Sequence, residues 1–446
     1  SSGGGIGGLT LASSLAWFDK GKRIDVDIYE AADVLEEIGA GIHIWPRAWN
    51  LLKGIGLEED MIKVLPDQTK PEETALVFQF RKSDQPSGQS IYDMYAKGGM
   101  VRVHRADLQR ILMKHASAAC KLHLSSRLVS CTEKDDGVHL LFEDGSTKTC
   151  DLLVGADGIK STVRRLFLER QPPEQGHGES IEPVWSGTYA YRGLVPKTLL
   201  DEKLPGHRAS QVPVMYCGKS KHIVVYPVSH GKLINVVACA HDRTKEETPY
   251  DGVSVLQVTH EEMLSKFDNW EPEVRALLEC IPRPSRWAIQ NLRPLKVYGK
   301  GRVLLLGDAA HAMTPHQGAG AGQAMEDAYT LAYVLSHSDI VKSTAQMPLV
   351  THVYNAIRQP FGNNVLDTSR ICGRLSGLTD PDKQFPEINE GDDTVPHEVL
   401  EGIILKMEGL WKWLWDSSVE DRCEEASSML RRIHGSANSE YVKSKL

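Results

Sequence analysis

The sequence predicts an α/β protein in which a parallel sheet flanked by helices carries an inserted antiparallel sheet and a C-terminal helical region. Two glycine-rich turns, far apart in the chain, each precede a helix-forming stretch, and short strand-like segments lie between them. A chain of 446 residues is long enough to bury a large core and to contain two or three structural units.

The first glycine turn has the spacing of a nucleotide-binding fingerprint. Gly3, Gly5 and Gly8 form the pattern GxGxxG immediately before an apolar helical stretch. The backbone N–H groups and the positive end of the helix dipole at such a turn bind a pyrophosphate. The strand-like segment 24–29 ends at Glu30, where a ribose-binding carboxylate is expected. The pattern therefore predicts a Rossmann-like domain.

A fingerprint of this kind normally follows a strand, yet only Ser1 and Ser2 precede it. A glycine turn without a strand behind it could not be held in place. Either the sheet lacks its central first strand or the sequence starts late, and we expect the second.

The order of the predicted elements divides the chain into four segments. The first is the nucleotide-binding part, in which a helix with Asp107 as its N-cap precedes a β-meander over residues 122–154. The second is the inserted antiparallel sheet. The third returns to a buried strand followed by long helices, and the fourth is a loop and a helical tail. These segments are residues 1–178, 179–297, 298–373 and 374–446.

Composition and charge exclude several classes of function. The net charge is −8 and no long basic run occurs, which argues against nucleic acid as a partner. No apolar run approaches the ~20 residues of a membrane span. The eight cysteines are scattered without a CxxC pair, and the histidines have no metal-ligand spacing. We expect an intracellular protein without a metal, either cytoplasmic or, from the terminal Ser444-Lys445-Leu446, peroxisomal.

The second glycine turn lies within residues 301–323. A buried strand delivers Asp308 at its carboxyl end, where ligands bind in an open α/β sheet. The turn that follows does not fit GxGxxG, so it is not a second nucleotide fingerprint. Its N–H groups and helix dipole can instead stabilise negative charge on a flavin ring. The alternative is a turn that only packs a strand against a helix.

Five motifs in this order resemble those of the FAD-dependent aromatic hydroxylases, most closely the single-component salicylate hydroxylase type. They are GGGIGGL at 3–9, GAGI at 39–42, HRADL at 104–108, LLVGADGIKSTVR at 152–164 and GDAAHAMTPHQGAGAGQ at 307–323. The resemblance covers essentially the whole chain. One departure is Arg47, which stands where the family usually has Asn after the proline.

The resemblance implies a set of residues that contact FAD, from the pyrophosphate to the pyrimidine end of the ring. They are Gly3, Gly5, Gly8, Glu30, Gly41, Arg105, Asp157, Asp308, Pro315, Gly320 and Ala321. No second Rossmann fingerprint occurs, which fits a family in which NADH or NADPH docks only transiently.

The inserted sheet supplies the candidates for the aromatic site. His222 and Tyr226 share one face of a strand, so together they could bind a phenol and favour its ionisation. The resemblance places Arg192 and Tyr226 in the active site, and His316 follows Pro315 at the flavin edge. The alternatives are a structural ion pair for Arg192, a core histidine for His222 and a loop histidine for His316.

The resemblance implies a monooxygenase that takes electrons from NADH or NADPH. An electron-rich phenolate attacks its electrophilic flavin C4a-hydroperoxide through the ortho carbon, and salicylate hydroxylated at that carbon then loses CO2 to give catechol. One alternative is hydroxylation of another hydroxybenzoate or a larger phenolic without decarboxylation. A hypothesis from a different functional class is that the protein is an FAD-binding redox-sensing module. The partners are thus a small aromatic acid and O2, and the oligomeric state stays open.

Overall fold

The computed structural model of the protein describes residues 1–35, 41–65, 72–117, 119–172, 181–338 and 340–436. Three sequence predictions fall outside these residues: the first half of the GAGI motif, the boundary between 178 and 179, and the terminal tripeptide. The four-segment division stays a prediction.

The helices of the described residues are α1 (Ile6–Phe18), α2 (Pro46–Gly54), α3 (Glu58–Val64), α4 (Arg105–Ala116), α5 (Thr162–Glu169), α6 (Lys197–Lys203), α7 (His260–Leu264), α8 (Pro272–Glu279), α9 (Asp308–His311), α10 (Gly320–Leu335), α11 (Met347–Ser376), α12 (His397–Trp411), α13 (Trp413–Asp416) and α14 (Glu420–Ser436). The strands are β1 (Val26–Tyr29), β2 (Gly41–Ile44), β3 (Thr74–Lys82), β4 (Gln89–Lys97), β5 (Val101–His104), β6 (Cys120–His123), β7 (Leu128–Lys134), β8 (Gly137–Phe142), β9 (Thr147–Cys150), β10 (Leu153–Gly155), β11 (Val184–Pro196), β12 (Val214–Gly218), β13 (Lys221–Val228), β14 (Leu233–His241), β15 (Val255–Gln257), β16 (Ser285–Asn291), β17 (Gly299–Lys300) and β18 (Val303–Leu305).

A mostly parallel sheet holds the start of the chain at its centre. β1 pairs with β6 and β10 pairs with β18, both in parallel. Ser2 lies between the two strand pairs. On the β10 side, its N–H donates to the Val154 carbonyl (2.8 Å) and its carbonyl accepts from the Ala156 N–H (2.7 Å). The Gly3 N–H donates to the Tyr29 carbonyl (2.8 Å). The first glycine turn therefore follows directly on a strand position between β1 and β10.

The second sheet has eight strands in the order β15, β16, β11, β14, β13, β12, β3 and β4. All neighbours are antiparallel except β12 and β3, which run parallel. Residues 179–297 supply six of these strands, as the sequence predicts. β3 and β4 complete the sheet from the segment before the meander, and their pairing is not visible in sequence because it joins distant parts of the chain.

The predicted meander over residues 122–154 is wrong at both ends. Only β7, β8 and β9 pair with one another in antiparallel order. β6 and β10 belong to the parallel sheet, because consecutive strands usually but not always pair and a short strand does not reveal its partner. The Asp107 prediction is also wrong, since α4 begins two residues earlier at Arg105 with His104 as its N-cap. Asp107 lies in the first turn instead, where its charge complements the helix dipole.

The long helices predicted over 320–336 and 347–373 are α10 and α11, which pack against each other and against α14. The helical tail covers the start of α2: the Trp411 side chain is 2% exposed, and its ring centroid lies 5.7 Å from that of Trp45. Within the described residues, no helix is both long and apolar enough to cross a membrane. The architecture confirms the predicted fold class, an α/β protein with a Rossmann-like domain, an inserted antiparallel sheet and a C-terminal helical region.

Candidate active site

The first glycine turn leaves the start of α1 open to a ligand. A Cβ on Gly3, whose φ is +106°, would lie 2.2 Å from the Ala156 carbonyl oxygen, and one on Gly8 would lie 2.2 Å from the Gly3 carbonyl oxygen. A Cβ on Gly5, the N-cap, would meet no described atom within 4 Å. Among the described residues no side chain caps α1, and its first turn holds no acid. The free N–H groups and the helix dipole therefore suit a phosphate.

Glu30 lies beside this turn at the end of β1. Its Oε2 accepts a hydrogen bond from the Gly4 N–H (2.7 Å), and its Oε1 accepts one from the Ala32 N–H (2.9 Å). These bonds fix the half-buried carboxylate against the glycine turn. Each oxygen has a further lone pair, which can accept a ribose hydroxyl.

Ser2, β10 and β18 are neighbours in the parallel sheet, and the chain leaves all three at the same edge. The glycine turn follows Ser2, Asp157 follows β10 and Asp308 follows β18. Asp157 is held by hydrogen bonds from the Ser161 hydroxyl (2.5 Å) and the Val163 N–H (3.0 Å), and burial raises its pKa. Asp308 is exposed to solvent. The sheet thus gathers these predicted residues at the carboxyl edge, where ligands bind.

The remaining predicted cofactor residues lie at the starts of elements. Gly320 and Ala321 begin α10, a helix without a side-chain cap from the described residues and without an acid in its first turn. Pro315 is exposed in the preceding turn. Gly41 begins β2 and Arg105 begins α4, directly after β5, the strand that pairs with β2. The structure does not test the contacts of these residues with FAD, which stay predictions.

A buried network of ion pairs fixes the position of α10. The Arg47 Nε donates to Glu326 Oε1 (2.9 Å), and Arg358 donates to Glu326 Oε2 (3.1 Å) and to Asp327 Oδ1 (2.7 Å). His311 contacts Asp327 Oδ2 at 2.6 Å. Burial penalises the charged form of Asp327, but His311 and Arg358 outweigh it and hold its pKa below the usual value. Sequence reasoning missed this network, although it singled out Arg47 as unusual.

One face of the large sheet lies against the cofactor side of the molecule. The strand β13 carries His222 and Tyr226 on this face, 2% and 4% exposed. The His222 ring lies 5.2 Å from the ring of His316. The Tyr226 ring lies 4.6 Å from the ring of His43 on β2, and the Arg102 guanidinium lies 5.1 Å over it. The predicted His222, Tyr226 and His316 are therefore brought together with the turns that carry the cofactor residues.

Between His222 and Tyr226 this face is only half covered. Val224, Val237 and Arg192 form one cross-strand row, and the Arg192 guanidinium stacks on the Trp287 ring at 4.9 Å. All four side chains are half-buried. The opposite face of the same strands is fully buried against α6, α7 and α8. The half-covered patch is thus a place where an aromatic ring can lie between apolar side chains and a cation.

The histidines and Tyr226 near this face are held neutral. Burial lowers the pKa of His316 to about 4, and burial together with the Arg102 charge lowers that of His43 to about 3. Burial also lowers the pKa of His222 well below its usual value and raises that of Tyr226. At neutral pH the imidazoles can therefore accept protons. Within the described residues, no cluster of histidine, cysteine or carboxylate side chains could hold a metal ion.

A group of arginines lies beyond the histidines. Glu246 accepts hydrogen bonds from Arg370 (3.3 Å) and Arg374 (2.8 Å). The buried Arg243 Nε has no hydrogen-bond partner among the described residues, and burial, with the nearby charge of Arg374, lowers the pKa of Arg243. Sequence reasoning missed this group, because its members come from the loop after β14 and from α11. A narrow cleft of about 20 Å³ is lined by Thr188, His241, Arg243, His316, Arg370 and Arg374.

Comparisons with known proteins agree with the geometry. A family model described as an FAD binding domain matches residues 2–369. A salicylate hydroxylase of Pseudomonas putida is 38% identical over 95% of this chain and 92% of its own. A 6-methylsalicylate 1-monooxygenase of Aspergillus terreus is 32% identical over 97% of this chain and 92% of its own. A solved salicylate hydroxylase substrate complex superposes with a TM-score of 0.80 at 32% identity, covering 95% of this chain and 96% of that one.

Proposed function

Since the chain belongs to the family of the FAD binding domain, we propose that it is an FAD- and NAD(P)H-dependent monooxygenase that converts salicylate to catechol with loss of CO2. The observation that carries the proposal is the half-covered sheet face between His222 and Tyr226, which lies against His316 and His43 of the cofactor side. The similarity to salicylate hydroxylases along almost the whole chain supports the same substrate.

The residues at the carboxyl edge fit FAD. The open start of α1 takes the pyrophosphate, Glu30 takes the adenosine ribose, and Asp308 takes the ribityl chain. The start of α10 at Gly320 and Ala321 would hold the pyrimidine end of the ring, because it has no side-chain cap from the described residues and no acid in its first turn. When bound, reduced FAD activates O2 and delivers one oxygen atom to an electron-rich ring, with electrons supplied by NADH or NADPH.

The histidines prepare the substrate for this transfer. A phenol gains nucleophilic character at its ortho carbon when its proton leaves. His222 and His316 are neutral at physiological pH, so each has one unprotonated ring nitrogen. Either residue can accept the phenol proton at that nitrogen when the phenol lies within hydrogen-bond distance of it. Salicylate presents its carboxylate at this ortho carbon. Hydroxylation there forms a ketone at the former phenol oxygen, and loss of CO2 restores the aromatic ring as catechol.

Cations bind the substrate carboxylate, and apolar side chains exclude water from its ring. The Arg192 guanidinium lies in the half-covered patch itself, and Arg102 and Arg243 lie on either side of it, so a carboxylate finds positive charge in each direction. Val224, Val237 and Trp287 shield the ring from water. Exclusion of water protects a reactive oxygen species from unproductive decay.

The test is a product assay under air with purified protein reconstituted with FAD. With salicylate and NADH we expect catechol, CO2 and oxidised NADH in equal amounts. A hydroxylated product that retains its carboxylate would favour the alternative substrate class, another hydroxybenzoate or a larger phenolic. No stimulation of NADH oxidation by any hydroxybenzoate would favour the redox-sensing module. A parallel assay with NADPH decides the preferred coenzyme.

We propose peroxisomal import as the location to be tested, because a Ser-Lys-Leu terminus is a receptor-read peroxisomal signal. An N-terminally tagged protein should enter peroxisomes and become diffuse when Leu446 is deleted. A diffuse signal from the full chain would end this proposal without affecting the enzymology.

A further inference from the structure

Two polar side chains on the same face of the sheet continue outward from His222, away from the half-covered patch. The His241 Nε2 lies 3.3 Å from the His222 Nδ1, and the two rings stack with centroids 5.2 Å apart. The His241 Nδ1 lies 2.8 Å from the Thr188 hydroxyl. His241 and Thr188 also line the arginine-bearing cleft, which opens to solvent. The nitrogen and oxygen atoms therefore form an unbroken series from a buried histidine to the cleft.

We propose that His241 and Thr188 form a proton path between the half-covered patch and the arginine-lined cleft, with His222 at its inner end. The proposal rests on the proposed function, because it needs a phenol beside His222. Neither residue was a sequence candidate. Their contact depends on the pairing of β11 with β14, in which Thr188 lies directly opposite His241.

The path moves one proton outward by a series of single transfers. The phenol proton passes to the His222 Nε2, and the proton on the His222 Nδ1 passes to the His241 Nε2. The proton on the His241 Nδ1 then passes to the Thr188 oxygen, whose own proton leaves to solvent in the cleft. Each nitrogen or oxygen of the path gives one proton for the one that it takes, so both imidazoles and the hydroxyl stay neutral and the only charge left behind is that of the phenolate.

The reaction itself restores the starting state. Loss of CO2 from the hydroxylated ketone leaves a negative charge on the oxygen that first lost its proton. That oxygen takes one proton back to form catechol. Reversal of the same transfers supplies it and returns both imidazoles to their first tautomers. A path used once in each direction therefore leaves no net change in the protein.

The surroundings of His241 disfavour its protonated form, so it passes a proton on and does not hold it. His222 and His316 pack against it from β13 and from the turn before α10, and Arg243 lies two residues along the chain. Burial, these histidines and Arg243 all lower the pKa of His241. Arg370 and Arg374 line the same cleft and are paired with Glu246. A protonated His241 is thus short-lived, as a relay requires.

The experiment is a single-turnover assay of the FAD-bound enzyme. The enzyme is reduced by NADH with salicylate present and then mixed with O2, and catechol formation is timed between pH 6 and pH 9. We compare Thr188→Val, which lacks the hydroxyl, with Thr188→Ser, which keeps it, and His241→Ala with and without imidazole. His352→Ala, an exposed change on α11, is the control.

We expect Thr188→Val and His241→Ala to slow catechol formation about 10²-fold, while NADH reduces the flavin at the wild-type rate. Thr188→Ser should keep the wild-type rate, and imidazole should accelerate His241→Ala. Wild-type rates in Thr188→Val, or equal losses in Thr188→Val and Thr188→Ser, would overturn the relay even if His241→Ala does not fold. A wild-type enzyme that makes no catechol would instead overturn the proposed function.

Discussion

Replacing Glu326 with glutamine removes the negative charge that two buried guanidinium groups share. Arg47 is 3% exposed and Arg358 is fully buried, and both donate to this carboxylate within 3.1 Å. Removing one partner of a buried ionic network leaves an uncompensated charge, which costs about 3–5 kcal/mol. An unfolding entropy of about 2.1 cal/mol/K per residue amounts to roughly 0.9 kcal/mol/K over 446 residues. For a single cooperative transition, we expect Glu326→Gln to lower the Tm by about 3–5 °C.

Thermal unfolding of the FAD-free protein, followed by circular dichroism, measures this shift. The matched control is Glu425→Gln on α14, which removes the same charge from a largely exposed pair with Arg422 (2.8 Å). That surface pair contributes at most about 1 kcal/mol, so its loss should shift the Tm by about 1 °C or less. The buried variant should also bind FAD more weakly, because the network positions the start of α10. Equal Tm values for the two variants would refute the reasoning.

Three further predictions concern the cofactor turn and the histidines. Gly8→Ala should lower the Tm of the FAD-free protein, because the new Cβ would lie 2.2 Å from the Gly3 carbonyl oxygen. Gly5→Ala should leave the Tm of the FAD-free protein nearly unchanged, because its Cβ would meet no described atom within 4 Å. It should weaken FAD binding, which flavin fluorescence titration measures. His316→Ala should produce H2O2 at the expense of catechol, and a wild-type ratio of catechol to NADH consumed would remove His316 from the mechanism. The pKa of His316 is lowered to about 4, so the unfolded state binds more protons below pH 6.5 and stability is lost as the pH falls toward 4. Urea unfolding should show wild type losing about 3 kcal/mol more than His316→Gln between pH 7 and pH 4, and equal losses would contradict the assignment.

The cofactor side could be predicted from sequence because its signals are local. Gly3, Gly5 and Gly8 lie within six residues, and the backbone conformation that each requires is fixed by its immediate neighbours and by one adjacent strand. Glu30 and Asp308 each follow a buried strand directly, so chain order alone places them at the carboxyl edge. The α10 and α11 helices are long and periodic, which makes their boundaries readable.

The substrate side could be predicted only within single strands. The alternation of β13 placed His222 and Tyr226 on one face. The contact of His222 with His241 and that of Tyr226 with Arg102 depend on the register of β13 with β14 and on the approach of a separate strand pair. No local pattern encodes such registers. The sequence therefore named His222 but could not supply its outward neighbours, and for the same reason it did not reveal the pairing of β3 with β12.

Arg47 connects the C-terminal helices to α10. Its guanidinium donates to Glu326 on α10 and also to the Ser417 hydroxyl (2.8 Å) and the Ser418 carbonyl (2.5 Å), which lie between α13 and α14. One side chain at the start of α2 therefore joins α10, which begins at the second glycine turn, to the C-terminal tail. A neutral Asn is too short and lacks the charge to make these three contacts together. We infer that this cation at position 47 and the buried acid at 326 depend on each other, so that changing both should cost less stability than the two single changes added.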